Sequence, residues 1–212
     1  MKKIIITLLY FFVTLSATLA NVVPCNVSDI PSGSLGVYQT TTALNVYSKP
    51  AKTASIVYNL SWSYLNVSTT SYADNLFAVL NDKKELSFVY ATDIDEDFVQ
   101  IIYDKKNRNT GWVVKEDNFQ FLPWISFYNM YGRKYGLKLL KGYPPNILDL
   151  HSASHSEAQV IAKLNRPKEI RLTTIQGNWA LITALDIDGV PKTGFIRWRS
   201  DNGELYLFPV IK

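Results

Sequence analysis

Thr110-Gly111-Trp112-Val113 is answered by Thr193-Gly194-Phe195-Ile196, the same chemistry position by position at an offset of 83. Each reads as the start of the return strand of a β-hairpin. Gly permits the tight backbone geometry leaving the turn, and an aromatic followed by a β-branched residue suits a pleated surface. The repetition predicts a mature chain built from two copies of one small β unit.

Working outward, the register holds. Leu148-Asp149-Leu150-His151-Ser152 matches Leu44-Asn45-Val46-Tyr47-Ser48 at an offset of 104, and Val160-Ile161-Ala162-Lys163-Leu164 matches Ile56-Val57-Tyr58-Asn59-Leu60 at the same offset. Lys168-Glu169-Ile170-Arg171-Leu172 then matches Lys84-Glu85-Leu86-Ser87-Phe88 at 84, which places 20 extra residues in copy one between Leu60 and Lys84. Asn178-Trp179-Ala180-Leu181-Ile182 pairs with Asp97-Phe98-Val99-Gln100-Ile101 at 81. Each change of offset falls in a predicted loop, where insertions are tolerated.

The boundaries follow: a first unit over 43–124 with an insertion at 61–82, a connector over 125–146, and a second unit over 147–212. Residues 21–42, with Pro24, Pro31, Gly33 and Gly36 among Ser and Asn, read as an extended leader. Ahead of it, Lys2 and Lys3 precede a nearly uncharged run from Ile4 to Leu15 and small residues ending at Ala20. This is the pattern of a secretory signal peptide over 1–20, and the run is too short to span a bilayer, which takes ~20 residues of helix. The product is expected to be exported, periplasmic or extracellular, with no transmembrane segment in the mature chain.

Lys2 and Lys3 are the only charges in residues 1–20, so their removal leaves 20 basic against 18 acidic side chains, a formal net of +2. That balance gives no dense basic face for nucleic acid. Tyr is prominent, Val, Ile and Thr recur in short alternating runs, and helix signatures are scarce, so the fold class reads as all-β. Cys25 is the only cysteine, which excludes an internal disulfide and any zinc site built on paired thiolates. It reads as a lone thiol near the start, with lipid anchoring as the alternative.

Leu44-Asn45-Val46 through Pro50 and Thr110 to Val113 resemble the bacterial SH3 (SH3b) family of small extracellular β-barrels. Leu148-Asp149-Leu150 and Thr193-Gly194-Phe195-Ile196 match the same motifs with Asp and Phe in place of the usual Asn and Trp. The resemblance implies two tandem SH3-like barrels and a binding or targeting role, commonly toward peptidoglycan peptides or protein partners. No hydrolase domain accompanies them here.

Candidate recognition residues are the aromatics that the copies do not share. Trp62, Tyr64 and Tyr72 sit in the insertion, Tyr131 and Tyr135 in the connector, and Trp198 between Arg197 and Arg199. The insertion either makes contact or caps the barrel. The connector, rich in aromatics from Trp124 to Tyr131, is expected to pack against one or both units, since large apolar patches are seldom left exposed. Trp112, Phe195, Phe98 and Trp179, at repeat-matched positions, are expected in the core. His151 and His155 read as loop histidines, and Asp93-Ile94-Asp95-Glu96-Asp97 and Asp186-Ile187-Asp188-Gly189 as solvated turns, because a metal site lacks its remaining ligands in each case.

No catalytic set and no cofactor motif stand out, so the chain is expected to be a non-enzymatic binding module for a cell-wall peptide or an envelope protein, with no cofactor. The alternative is a periplasmic inhibitor or immunity protein that blocks a toxin or wall hydrolase by inserting a loop.

Overall fold

The alternation in Trp179-Ala180-Leu181-Ile182-Thr183-Ala184-Leu185 becomes a strand that buries Ala180, Ile182 and Ala184 and turns the residues between them outward. The computed structural model describes residues 21–40, 43–61, 70–117 and 119–211; the signal peptide expected at 1–20 lies outside the described residues. Within these the chain is all-β, with two antiparallel sheets and short helical turns.

The elements run β1 (Asn21–Val22), β2 (Gly36–Gln39), β3 (Ala43–Tyr47), β4 (Ile56–Ser61), α1 (Thr70–Leu76), β5 (Val79–Asn81), β6 (Leu86–Ile94), β7 (Phe98–Asp104), β8 (Asn109–Val114) and β9 (Phe121–Pro123). A helical segment follows: α2 (Trp124–Phe127), a π-helical turn (Tyr128–Gly132) and α3 (Arg133–Tyr135). It stops at Gly136, whose φ of 78° only glycine adopts without strain. The second half runs β10 (Leu137–Leu139), β11 (Asp149–His151), β12 (Val160–Lys163), β13 (Glu169–Gln176), β14 (Trp179–Leu185), β15 (Pro191–Arg197) and β16 (Leu207–Pro209).

The second sheet has the order β12-β11-β15-β14-β13-β10-β16, and the first contains the corresponding order β4-β3-β8-β7-β6-β2-β9. The register agrees in detail. Tyr47 pairs with Trp112 as His151 pairs with Phe195, and a bulge falls between Val46 and Tyr47 as another falls between Leu150 and His151. To this common order the first sheet adds β5 on β6 and β1 on β5.

Three expectations change. Residues 21–42 are more than a leader, because they supply β1 and the largely buried strand β2; its counterpart β10 lies inside the connector. Neither Gly111 nor Gly194 is among the glycines with positive φ, so turn geometry is not what selects them. Finally, Phe98 is buried as expected, but Trp112, Phe195 and Trp179 are only half-buried. Strand period explains the first two: Gly111 and Val113, like Gly194 and Ile196, face inward, which sends the residue between them to the other face.

The core has two clusters. One lies within the first half, around Tyr38, Leu44, Val46, Val89, Ala91, Val99, Ile101 and Val113. The other joins the halves, running from Val37, Phe88 and Tyr90 through Trp124, Phe127 and Tyr128 to Ile182, Ile196 and Phe208. Strand β6 serves both: Phe88 and Tyr90 point into the joint cluster, Val89 and Ala91 into the first. The helical segment is the joint, with ring centroids 5.6 Å apart for Phe127 and Phe88, 5.7 Å for Phe127 and Phe208, and 4.5 Å for Tyr128 and Trp198.

Candidate functional site

A concavity of about 760 Å³ opens where the leader, α1 and the β7–β8 hairpin of the first half meet. One wall is the leader from Val22 to Pro31, another is the end of α1 at Asp74 and Asn75, the floor is Ala78 and Tyr90, and the third wall is the β7–β8 hairpin with Lys105, Lys106 and Arg108. Its volume is in the range of small-molecule and peptide sites, roughly 300–1,000 Å³.

Each wall is tied down. The leader is held by β1 against β5 and by Lys141, whose N–H donates to Cys25 O at 2.8 Å and whose carbonyl accepts from Val27 N–H at 2.9 Å. Asp29 closes the leader's turn by accepting from the N–H groups of Cys25 and Asn26 at 2.9 and 2.8 Å. Burial alone would raise the Asp29 pKa, but these hydrogen bonds outweigh it and hold the carboxyl below its ordinary value. The hairpin is fastened to α1 by Asn75, whose carbonyl accepts from Lys105 N–H at 3.0 Å and whose side chain bonds Lys106 N–H and Asp104. Arg108 at the hairpin tip takes a left-handed φ of 55°, a conformation uncommon outside glycine.

Lys105 is the central group. Its Nζ donates to Phe77 O at 2.8 Å and lies 5.7 Å from the centroid of the Tyr90 ring. Burial pushes its pKa down, against the opposing pull of Asp74 and Asp29. Tyr90 is fully buried, donates to Asp29 O at 3.4 Å, and is held far above its ordinary pKa by burial. Cys25 is exposed on the leader wall, with Lys138 Nζ 3.9 Å from its sulfur.

Of the residues expected from sequence, the described ones, Tyr131, Tyr135 and Trp198, do not line the cleft. Trp62 and Tyr64 are outside the described residues; Tyr72 is on α1, its side chain outside them too. Tyr131 and Tyr135 are brought together as a stacked pair 6.3 Å apart, with Lys84 and Lys134 over the Tyr135 ring at 5.0 and 5.1 Å. Both are half-buried, and Tyr131 also packs on Phe127 and Phe88 at 5.1 and 5.4 Å. Trp198 is not a contact residue on the surface: it is fully buried, its Nε1 donating to Gly177 O at 3.0 Å and its ring against Tyr128.

The insertion, where its burial is described, is core apart from Asp74 and Asn75. Ala73, Leu76, Phe77, Ala78, Val79 and Leu80 are all at most 1% exposed, so this part of it caps the sheet and does not project as a loop. Asp186 is likewise no solvated turn. It is fully buried and accepts from Asn165 N–H at 2.7 Å and from Lys192 Nζ at 2.7 Å. His151 stands on β11, with Nδ1 2.9 Å from Ala158 O and its ring edge-on to Trp179 at 5.0 Å. Among the described residues no three of His, Cys, Asp and Glu converge to hold a metal ion, and no helix is long and apolar enough to cross a membrane.

Sequence reading missed the cleft because its walls come from the leader, the insertion and a hairpin, which meet only through sheet pairing. No protein-family model matches the chain, and no curated protein matches it either.

Proposed function

We propose that this is an exported, non-enzymatic binding module made of two SH3-like barrels, and that it recognises cell-envelope material, peptidoglycan peptides in particular. The seven-strand order common to both halves supports the SH3-like reading, together with the Leu-Asn-Val and Thr-Gly-Trp-Val motifs. The observation that carries the binding role is the cleft of about 760 Å³, formed by the leader, the insertion and the β7–β8 hairpin. The leader and the insertion, set against a hairpin of the repeating scaffold, build a concavity with Ala78 and Tyr90 as its floor and charged walls, the combination that seats a small polar ligand.

The test is retention of the chain from residue 21 onward on purified peptidoglycan sacculi. Retention is expected to fall when the cleft is occluded by Ser28→Trp, at an exposed wall position. A chain that passes through the sacculi unretained overturns the reading, and so does retention that Ser28→Trp leaves unchanged.

A further inference from the structure

Resting on that reading of the cleft, we propose that Lys105 is its anion anchor and takes a free carboxylate of the bound ligand, with Lys106 and Arg108 beside it on the same wall.

Ile101 and Ile182 occupy matching strand positions, paired with Gly111 and Gly194; beyond them a bulge between Ile102 and Asp104 shifts the first hairpin by one residue, and Lys105 and Asp186 each stand just after the strand, at the start of the hairpin loop. The two side chains do one job with opposite polarity, each binding its hairpin to the segment that leads into the next long strand. Asp186 accepts from the N–H of Asn165, and Lys105 donates to the carbonyl of Phe77. In the second half the charge is completed within the protein, because Lys192 lies 2.7 Å from Asp186. In the first half the residue that matches Lys192, at the offset of 83, is the neutral Asn109.

Lys105 is therefore a cation without its counter-ion. No ion pair among the described residues includes it. An ammonium carries three protons, and Phe77 O is the acceptor for one; the other two have no protein acceptor among the described residues. Asp74 and Asp29 act on Lys105 through space only, and the Asp29 carboxylate is already engaged by Cys25 and Asn26. A partly desolvated, unpaired charge is costly to keep, and an incoming carboxylate relieves that cost in the cleft itself.

The same surroundings favour a carboxylate over a phosphate. Two protein carboxylates, Asp29 and Asp74, line the cleft, and they repel a doubly charged anion more than a singly charged one.

The test is titration of the mature chain with three probes, followed by NMR: N-acetyl-dialanine with a free carboxylate, its C-terminal amide, and inorganic phosphate. The acid is expected to bind roughly tenfold or more tightly than the amide, the effect of one charge-assisted hydrogen bond. Lys105→Gln is expected to abolish the difference between the acid and the amide. Equal binding of acid and amide, preference for phosphate, or binding of none of the three overturns the proposal, and the acid–amide comparison needs no variant to fold. Failure here with sacculus retention still sensitive to Ser28→Trp removes the carboxylate anchor alone; retention insensitive to Ser28→Trp removes the cleft as the binding site.

Discussion

Gly111 and Gly194 sit in the same cage. A Cβ built on Gly111 would lie 2.4 Å from Val46 Cγ1, 3.1 Å from Tyr47 O and 3.3 Å from Val57 Cγ2; one built on Gly194 would lie 2.9 Å from Leu150 Cβ, 3.1 Å from His151 O and 3.4 Å from Ile161 Cδ1. The cage residues match pairwise at the offset of 104. Glycine is required there because one strand crosses another at close range. Gly111→Ala and Gly194→Ala are each expected to lower stability by about 1–3 kcal/mol, the usual cost of overpacking. Gly194→Ala should be the harder to absorb, since its obstacle is a Cβ fixed to the backbone while Val46 can turn about χ1. Denaturant unfolding of the two variants checks both the loss and its order.

Asp186 sets part of the acid sensitivity. Burial would raise its pKa, but Lys192 and the N–H groups of Asn165 and Ile187 hold it below the ordinary 3.8. A carboxyl lowered by folding contributes stability above its unfolded pKa, and that contribution is lost as pH falls through the folded value. Asp186→Asn is therefore expected to be less stable than the parent at neutral pH, with the gap narrowing below about pH 4. Thermal midpoints between pH 2 and 7 give the comparison. A gap that widens on acidification contradicts the assignment.

The insertion belongs to the core of the first half. Phe77 is fully buried, its carbonyl receives Lys105, and the neighbouring β5 pairs with both β6 and β1. Phe77→Ala is expected to cost about 3–5 kcal/mol. Excising 61–82 should abolish the cooperative unfolding transition, since it also strips β6 of a neighbour and β1 of its only partner among the described residues. A deletion variant that unfolds cooperatively near the parental midpoint would show that the capping role is dispensable.

Much of the fold was legible because strand periodicity and repeat register are local properties. Ala180, Ile182 and Ala184 alternate in a run long enough to read, and matching offsets tie Leu44 to Leu148 without any knowledge of pairing. The short strands were not legible. Gly36-Val37-Tyr38-Gln39 sits among prolines and glycines, and Leu137-Lys138-Leu139 follows a glycine in an aromatic connector, so neither run is long enough to show a period. Trp198 was misread because its flanking arginines suggest a surface, whereas the extended chain just past β15 buries Trp198 and leaves Arg197 and Arg199 partly exposed. The cleft was hidden for a different reason: Cys25, Asp74 and Lys105 share no local pattern, and β1 on β5, Lys141 on the leader and Asn75 on the hairpin bring them together.

The joint between the halves predicts how the chain unfolds. Phe127 touches Phe88 on β6 and Phe208 on β16, and Tyr128 lies against Trp198 while its hydroxyl donates to Leu207 O. Because Phe88 and Val89 are consecutive and face different clusters, β6 transmits the loss of one cluster to the other. Two copies joined by an independent spacer would unfold in two steps, each indifferent to the spacer. Here Phe127→Ala is expected to cost about 3–5 kcal/mol and to lower the protection of amides in both β7 and β14 together. Native-state hydrogen exchange resolves the two strands. Loss of protection confined to β14 would mean that the first half stands alone and that the helical segment belongs to the second.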